Sequence, residues 1–325
     1  MRRFLPDAFV VSLFLATAFA AVFPAIGWLR DAMDALVQGA IALLFFFHGL
    51  RLSRGSVIAG FGHWRLHSAI LAVTFLAYPL AALGMATALP QALSPELWVG
   101  MLFLACVPST VQSSISLISI AKGNVPAAVA QAAASNLAGI ILTPLVASAL
   151  IAVQGAELPL SNVWKIAGQL LLPFVLGHFL RPWLFRYAEP HLKRMALLDK
   201  AVIVLVVYAA FSTATREGIW QRLDGGTILI VIGLCLLLLA LGMAMAIATA
   251  KLSGFDRPDA LTLFHAGSLK SLATGVPMAQ ILIAPAQLGM VIIPLMIFHQ
   301  LQLIIHTMVA NRQGATVGAE PNALH

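Results

Sequence analysis

Lys270 is the side chain whose position most constrains its chemistry. Between Ala260 and Ala310 it is the only Asp, Glu, Lys or Arg. It stands about ten residues into an apolar run, ~15 Å along a helix that rises 1.5 Å per residue. An ammonium at that depth in hydrocarbon costs about 2.5–3.5 kcal/mol on insertion scales, so a working role inside a helix bundle is the leading reading. Snorkelling to an interface, or pairing with carbonyls freed by a helix break, is the plainer alternative. His265, Ser268, Ser271 and Thr274 stand around it and favour a wet cavity over a dry packing site.

A second polar cluster runs from Cys106 to Ser116. Ser109, Thr110, Gln112, Ser113, Ser114 and Ser116 put six hydroxyl or amide groups within eight residues, more than one packing face requires. They read as the lining of a binding site, against back-bonding to helix carbonyls as the alternative. Downstream, Gln131 and Ser135 share a helical face, with Asn136 beside them; these could coordinate a cation or solute, or bond between helices. His63 and His67 read as interfacial anchors. His299, Gln300, Gln302 and His306 read as helix-packing donors, and Cys106 and Cys235 as buried apolar groups. No nucleophile elbow, zinc-protease helix, Walker A or dinucleotide fingerprint occurs in a supporting context. The expectation is no enzyme, no catalytic residue and no metal centre.

The elements that must position these groups follow from composition. Of 325 residues, 61% are hydrophobic and 10% charged, with Lys+Arg 19 and Asp+Glu 12. A soluble domain carries about 25% charged residues, so most of this surface must face lipid. The formal charge of +7 is spread between apolar runs rather than gathered on a face, which argues against a nucleic-acid partner. Ten apolar runs follow, roughly 8–28, 34–50, 66–89, 97–121, 125–152, 163–183, 197–215, 227–250, 260–283 and 286–310. The first is longer than a signal-peptide core and reads as a helix that stays. The segment 311–325 reads as a disordered tail. With an N-terminus inside, 14 Lys and Arg fall on inner segments and 4 on outer ones. Both termini are therefore expected in the cytoplasm of an integral, inner-membrane protein.

Ten spans divide into two sets of five, and an odd-numbered repeat places its second copy inverted in the bilayer. The fourth run is interrupted at Pro108-Ser109-Thr110. The ninth is interrupted between Ser271 and Pro277, with Thr274 as the expected N-cap of its second half. Broken backbone at that depth must line a cavity or pack on protein.

At these residues the chain resembles the bile acid:sodium symporter family (solute carrier family 10-like), in its bacterial YfeH-like branch. The resemblance runs from Leu5-Pro6-Asp7 to the tenth run. It is carried by Cys106-Val107-Pro108-Ser109-Thr110-Val111-Gln112-Ser113-Ser114, Gly123-Asn124, Leu142-Thr143-Pro144, and Lys270-Ser271-Leu272-Ala273-Thr274-Gly275-Val276-Pro277-Met278. It implies an all-α membrane protein of ten helices in two inverted repeats, with helices 4 and 9 broken and crossing. Helices 1, 2, 6 and 7 (about 8–50 and 163–215) would form a panel. Helices 3–5 and 8–10 (about 66–152 and 227–310) would form a core that rocks against it. It also implies secondary active transport of a small or amphipathic organic anion with sodium.

The sequence departs from that pattern at the sodium ligands. Ser114 is kept, but Ile115, Ala128, Ala132, Ala273 and Pro277 stand where the family has Asn, Ser/Thr, Ser/Thr, Glu and Gln. We therefore expect the Lys270 ammonium to replace bound sodium, so that transport is sodium-independent or proton-linked. A surviving cation site from Ser113, Ser114, Gln131, Ser135 and Asn136 is the rival. No cofactor is expected beyond that ion. The alternative from another class is a membrane sensor that keeps the transporter fold and acts through a partner.

Overall fold

A chain crossing hydrocarbon must satisfy its backbone N–H and C=O groups internally, and helices do so within one segment. A computed structural model describes residues 8–53, 55, 62–153 and 160–317; Arg2, Arg3, the Leu5-Pro6-Asp7 segment, Arg54, Gly155 and residues 318–325 lie outside them. The helices are α1 (Ala8–Val22), α2 (Trp28–Arg51), α3 (Trp64–Ala88), α4 (Pro95–Cys106), α5 (Gln112–Ile120) and α6 (Val125–Val153). They continue as α7 (Leu160–Ala188), α8 (Leu192–Arg216), α9 (Gly225–Leu252), α10 (Arg257–Ser268), α11 (Leu272–Leu282) and α12 (Pro285–Val317). No strand occurs among the described residues. Six helical stretches among the described residues are long and apolar enough to cross a membrane, and the longest, Gly168–Arg216, turns at the 3₁₀ segment Glu189–His191 between α7 and α8. The protein is an all-helical polytopic membrane protein.

The helix starts carry the expected chemistry. Ser94 accepts from the Leu97 N–H ahead of Pro95, and Asp256 accepts from the Asp259 N–H ahead of Pro258. Asp224 accepts from the Thr227 N–H at 2.6 Å, and that bond holds its exposed carboxyl below the usual carboxylate range.

Three boundaries differ from the sequence reading. The second run starts at Trp28, not residue 34. Arg30-Asp31, which reads as a helix stop, lies inside the helix: Arg30 pairs with Asp34 across one turn at 3.8 Å, and Asp31 lies in the first turn, where negative charge is favoured. The ninth run breaks at Leu269–Ser271 rather than across Ser271 to Pro277. Ser271, not Thr274, is the N-cap, its Oγ accepting from the Thr274 N–H at 3.2 Å. Pro277 is accommodated inside α11. Residues 311–317, expected in the tail, continue α12. Gly314 lets this end of α12 pack on the end of α5, since a Cβ there would strike the Ile120 carbonyl.

α2 packs along α7 and α8, and α1 along α8. At the α2–α7 crossing, Gly49 meets the Phe174 carbonyl and Gly177 the Phe46 carbonyl so closely that no Cβ fits at either. α4 lies along α12, α9 along α10 and α12, and α5 against α6, α10 and α12. The two groups meet where α8 touches α11 and α12, and where α6 touches α7. Leu172, Leu176, Phe179 and Trp183 of α7 are exposed, an apolar outer face suited to lipid.

Candidate functional site

Two interrupted helices meet back to back. α4 ends at Cys106, residues 107–110 run without helix, and α5 starts at Gln112; α10 ends at Ser268 and α11 starts at Leu272. The Ser271 N–H donates to the Pro108 carbonyl at 2.8 Å, tying one break to the other. The first break is also fixed from α6. The Ser109 N–H donates to Ser135 Oγ at 3.2 Å, and Thr143 Oγ1 donates to the Cys106 carbonyl at 2.9 Å. Gly139 gives the Pro108 ring its room, since a Cβ there would lie 2.9 Å from the ring carbons.

A helix that stops in mid-bundle leaves its last carbonyls without partners and carries partial negative charge at that end. Lys270 fills this place. Its side chain is fully buried, and Nζ donates to the carbonyls of Ala105 (2.6 Å), Val107 (3.1 Å) and Thr74 (2.8 Å). An ammonium has three protons, and each has an acceptor here. The Thr74 carbonyl comes from a π turn, Val73–Ala77, inside α3, a local irregularity frequent at functional sites. The Tyr78 ring centroid lies 4.4 Å from Nζ, within cation–π range. Gln302 closes the other side: its Oε1 accepts from the Lys270 N–H and its Nε2 donates to the Lys270 carbonyl, both at 2.7 Å. This geometry excludes snorkelling and matches the other plain alternative, pairing with carbonyls freed by a helix break; Lys270 itself does not line the cavity in front of the breaks.

In front of the breaks lies a cavity of about 450 Å³. Its wall takes Thr110, Gln112 and Ser113 from the first break and α5, Ser271 and Thr274 from the second, Asn136 from α6, and His48, Arg51, Asp199 and Lys200 opposite. The first turns of α5 and α11 both face it, so two partly positive helix ends converge on one space. Thr110 Oγ1, Thr274 Oγ1 and Asn136 Oδ1 are buried without a hydrogen-bond partner. Arg51 and Asp199 form a two-pronged ion pair at 2.6 and 2.8 Å, with His48 Nε2 3.9 Å from the carboxylate. Apolar wall is supplied by Phe9, Leu52, Ile115, Phe174, Ile203 and Leu303.

The other expected residues are placed elsewhere. Ser109 and Ser135 hold the first break, and Ser114 is buried outside the cavity wall. Gln131 does not join the face of Ser135 toward the cavity; its Oε1 lies 2.6 Å from His67 Nδ1. That corrects both the solute-facing reading of Gln131 and the anchor reading of His67, which is buried on the inner face of α3. His265 and Ser268 lie on the far side of the second break, with His306. Gln302 is the helix-packing donor expected of it, serving the Lys270 backbone; the Arg51–Asp199 pair was missed. Asp199 carried a signal, since an acidic residue just inside an apolar run implies a buried partner.

A model of the SBF-like CPA transporter family matches residues 7–314. The chain belongs to that family. It is 43% identical to YfeH of Escherichia coli, a protein named as a symporter, over 94% of this chain and 92% of YfeH. An uncharacterized protein of Pseudomonas aeruginosa is 42% identical over 95% of this chain and 93% of its own length. Sodium/bile acid cotransporter 7 of Danio rerio is 24% identical over 94% and 93%. The membership places the chain in the bile acid:sodium symporter group, in its YfeH-like branch, among transporters and not enzymes.

Proposed function

We propose that this protein is a secondary active transporter of a small or amphipathic organic anion, working by alternating access with Lys270 as its built-in cation. The carrying observation is the Lys270 ammonium on three carbonyls, two at the end of α4 and one in the π turn of α3. A fixed positive charge behind the breaks and two helix N-termini in front favour an anion in the cavity. Its apolar wall suits a cargo with a hydrophobic body.

The finer architecture is part of the same reading: ten crossings in two inverted repeats, with α1, α2, α7 and α8 as panel and the rest as core. Its support is a reciprocity in packing. If the first crossing exchanges with the sixth and the second with the seventh, the α1–α8 contact maps onto the α7–α2 contact, and both are extensive. Both termini would face the cytoplasm of a bacterial plasma membrane. Family membership favours transport over the sensor reading.

The test is uptake of radiolabelled cholate, an amphipathic anion, by the purified protein in liposomes, with sodium or choline as the salt. Saturable uptake of equal size in both salts is the expected result. Strict dependence on sodium overturns the Lys270 assignment, and absence of saturable uptake overturns the transport reading.

A further inference from the structure

The cavity is suited to an anion, yet one carboxylate stands on its wall. Asp199 is the only Asp or Glu among the described residues that line it. It lies about two turns inside α8 with its side chain 15% exposed, and its two oxygens accept from Arg51 Nη1 at 2.6 Å and Nη2 at 2.8 Å. The guanidinium is thereby held by a carboxylate that belongs to the chain.

The two partners depend on the pair unequally. Arg51 is the last residue of α2, where the partial negative charge of the helix end favours a cation with or without Asp199. Asp199 has no such support in mid-helix and needs a donor. His48 stands about one turn before Arg51 on α2, its Nε2 3.9 Å from Asp199 Oδ2. That is too long for a hydrogen bond, but close enough for an Nε2–H to donate once the guanidinium turns away. Lys200, on the same wall, lies over the Phe9 ring at 5.5 Å. Cations therefore outnumber the carboxylate, and this side attracts an anion even while Arg51 is paired. An ion pair that only clamps α2 to α8 is replaceable by apolar side chains at little cost. One that faces a cavity, with a second donor beside it, is built to open.

We propose that Arg51 is a second anion station of the cavity and that Asp199 is its built-in competitor. The release role rests on the transporter reading; the anion binding rests on the cavity alone. An anionic head that leaves the first turn of α5 meets Arg51 on the opposite wall. A carboxylate or sulfonate there takes the place of Asp199 on the planar fork of the guanidinium, and Asp199 passes to His48. As the head departs, Asp199 returns to Arg51. The guanidinium is never left bare, and the cargo is never held at the full strength of an uncontested fork. On the topology proposed above, α2 ends at the cytoplasmic side, which makes Arg51 the exit station during uptake.

The test is isothermal calorimetry of cholate with the purified full-length protein, beside cholate uptake in liposomes. Asp199→Asn, which keeps the side-chain shape, should bind cholate about tenfold more tightly and carry it several-fold more slowly at saturation. Arg51→Gln should bind it about tenfold more weakly. A clamp with no anion role moves neither affinity in opposite directions. In the double variant Asp199→Asn/Arg51→Lys the charge is kept and the fork is lost, so the gain in affinity should disappear; this variant keeps the test decisive if Arg51→Gln does not fold. Affinity unchanged or weakened in Asp199→Asn overturns the competitor. A gain that survives in the double variant reports charge removal alone and overturns the direct role of Arg51. Tighter binding at an unchanged rate overturns the release role only. A wild type that binds cholate without carrying it overturns the transporter reading and the release role, while calorimetry still decides the station. A wild type that binds no cholate overturns the station itself.

Discussion

The two helix breaks are built from similar parts but are finished differently. At the first, the carbonyl end of α4 is closed by a full charge from elsewhere in the chain, while the N-terminus of α5 has no side-chain cap. At the second, the carbonyl end of α10 is served by a neutral donor, Tyr78, and the N-terminus of α11 is capped by its own Ser271. Of four mid-bundle helix ends, one holds the Lys270 amino group and one starts, at the cavity wall, without a side-chain cap. The difference says where an anion should settle: at the first turn of α5, beside Thr110 and Gln112, rather than at the capped start of α11.

The comparison breaks most sharply at Lys270. Lys270→Met leaves three buried carbonyls without a donor, and we expect a loss of about 3–5 kcal/mol, the scale of removing one partner from a buried charge pair. Thermal unfolding in detergent measures it. The same assay sharpens the point in Lys270→Ala: the wild type should unfold at equal temperature in sodium and choline chloride, and the variant should be partly restored by sodium alone. Gly242→Leu acts next, through Tyr78, whose ring already occupies the space a Cβ would need. Overpacking of this kind costs about 1–3 kcal/mol, and the ring's displacement from Lys270 should be visible as a fall in unfolding temperature.

The two N-termini then separate. Thr110→Val should weaken cholate binding about tenfold, near 1.4 kcal/mol, with little effect on folding. Ser271→Ala should cost about 1 kcal/mol of stability, as lost caps do, with cholate affinity nearly unchanged. Isothermal calorimetry beside thermal unfolding distinguishes them, and equal effects on both readouts would remove the asymmetry. The smallest effect is expected at Asp224, a helix end held by an exposed carboxylate. Its folded form favours the ionised state, so its contribution is present at neutral pH and lost as pH falls below the carboxylate range. Asp224→Asn should flatten that acid limb of the stability curve.

The helical architecture was legible because lipid as solvent demands long apolar runs, and Pro108 announced the first break. The second break was harder to place. Glycine at 275 and proline at 277 look like breakers, yet Gly275 is there for the contact with Val107 and Leu295, and a serine cap four residues before it, Ser271, decided the start. Lys270, Thr110, Ser271 and Thr274 could be found from residue type and depth alone. Gln131 could not be assigned, because helical periodicity gives its face but not the histidine across from it. Gln302 serves the backbone of Lys270 rather than its side chain, and pairing to backbone leaves no complementary charge to search for.

A lysine that belongs to the chain cannot leave with the cargo, and this changes the electrical account of a transport cycle. A symporter that releases its cations carries their charge across with each turnover and draws on the membrane potential. Here the positive charge stays behind. A monovalent anion entering alone would move against a negative interior at about 2.3 kcal/mol per 100 mV. Were a proton to travel with it, as in the proton-linked alternative, the step would be electrically silent and would answer to acidity rather than to voltage.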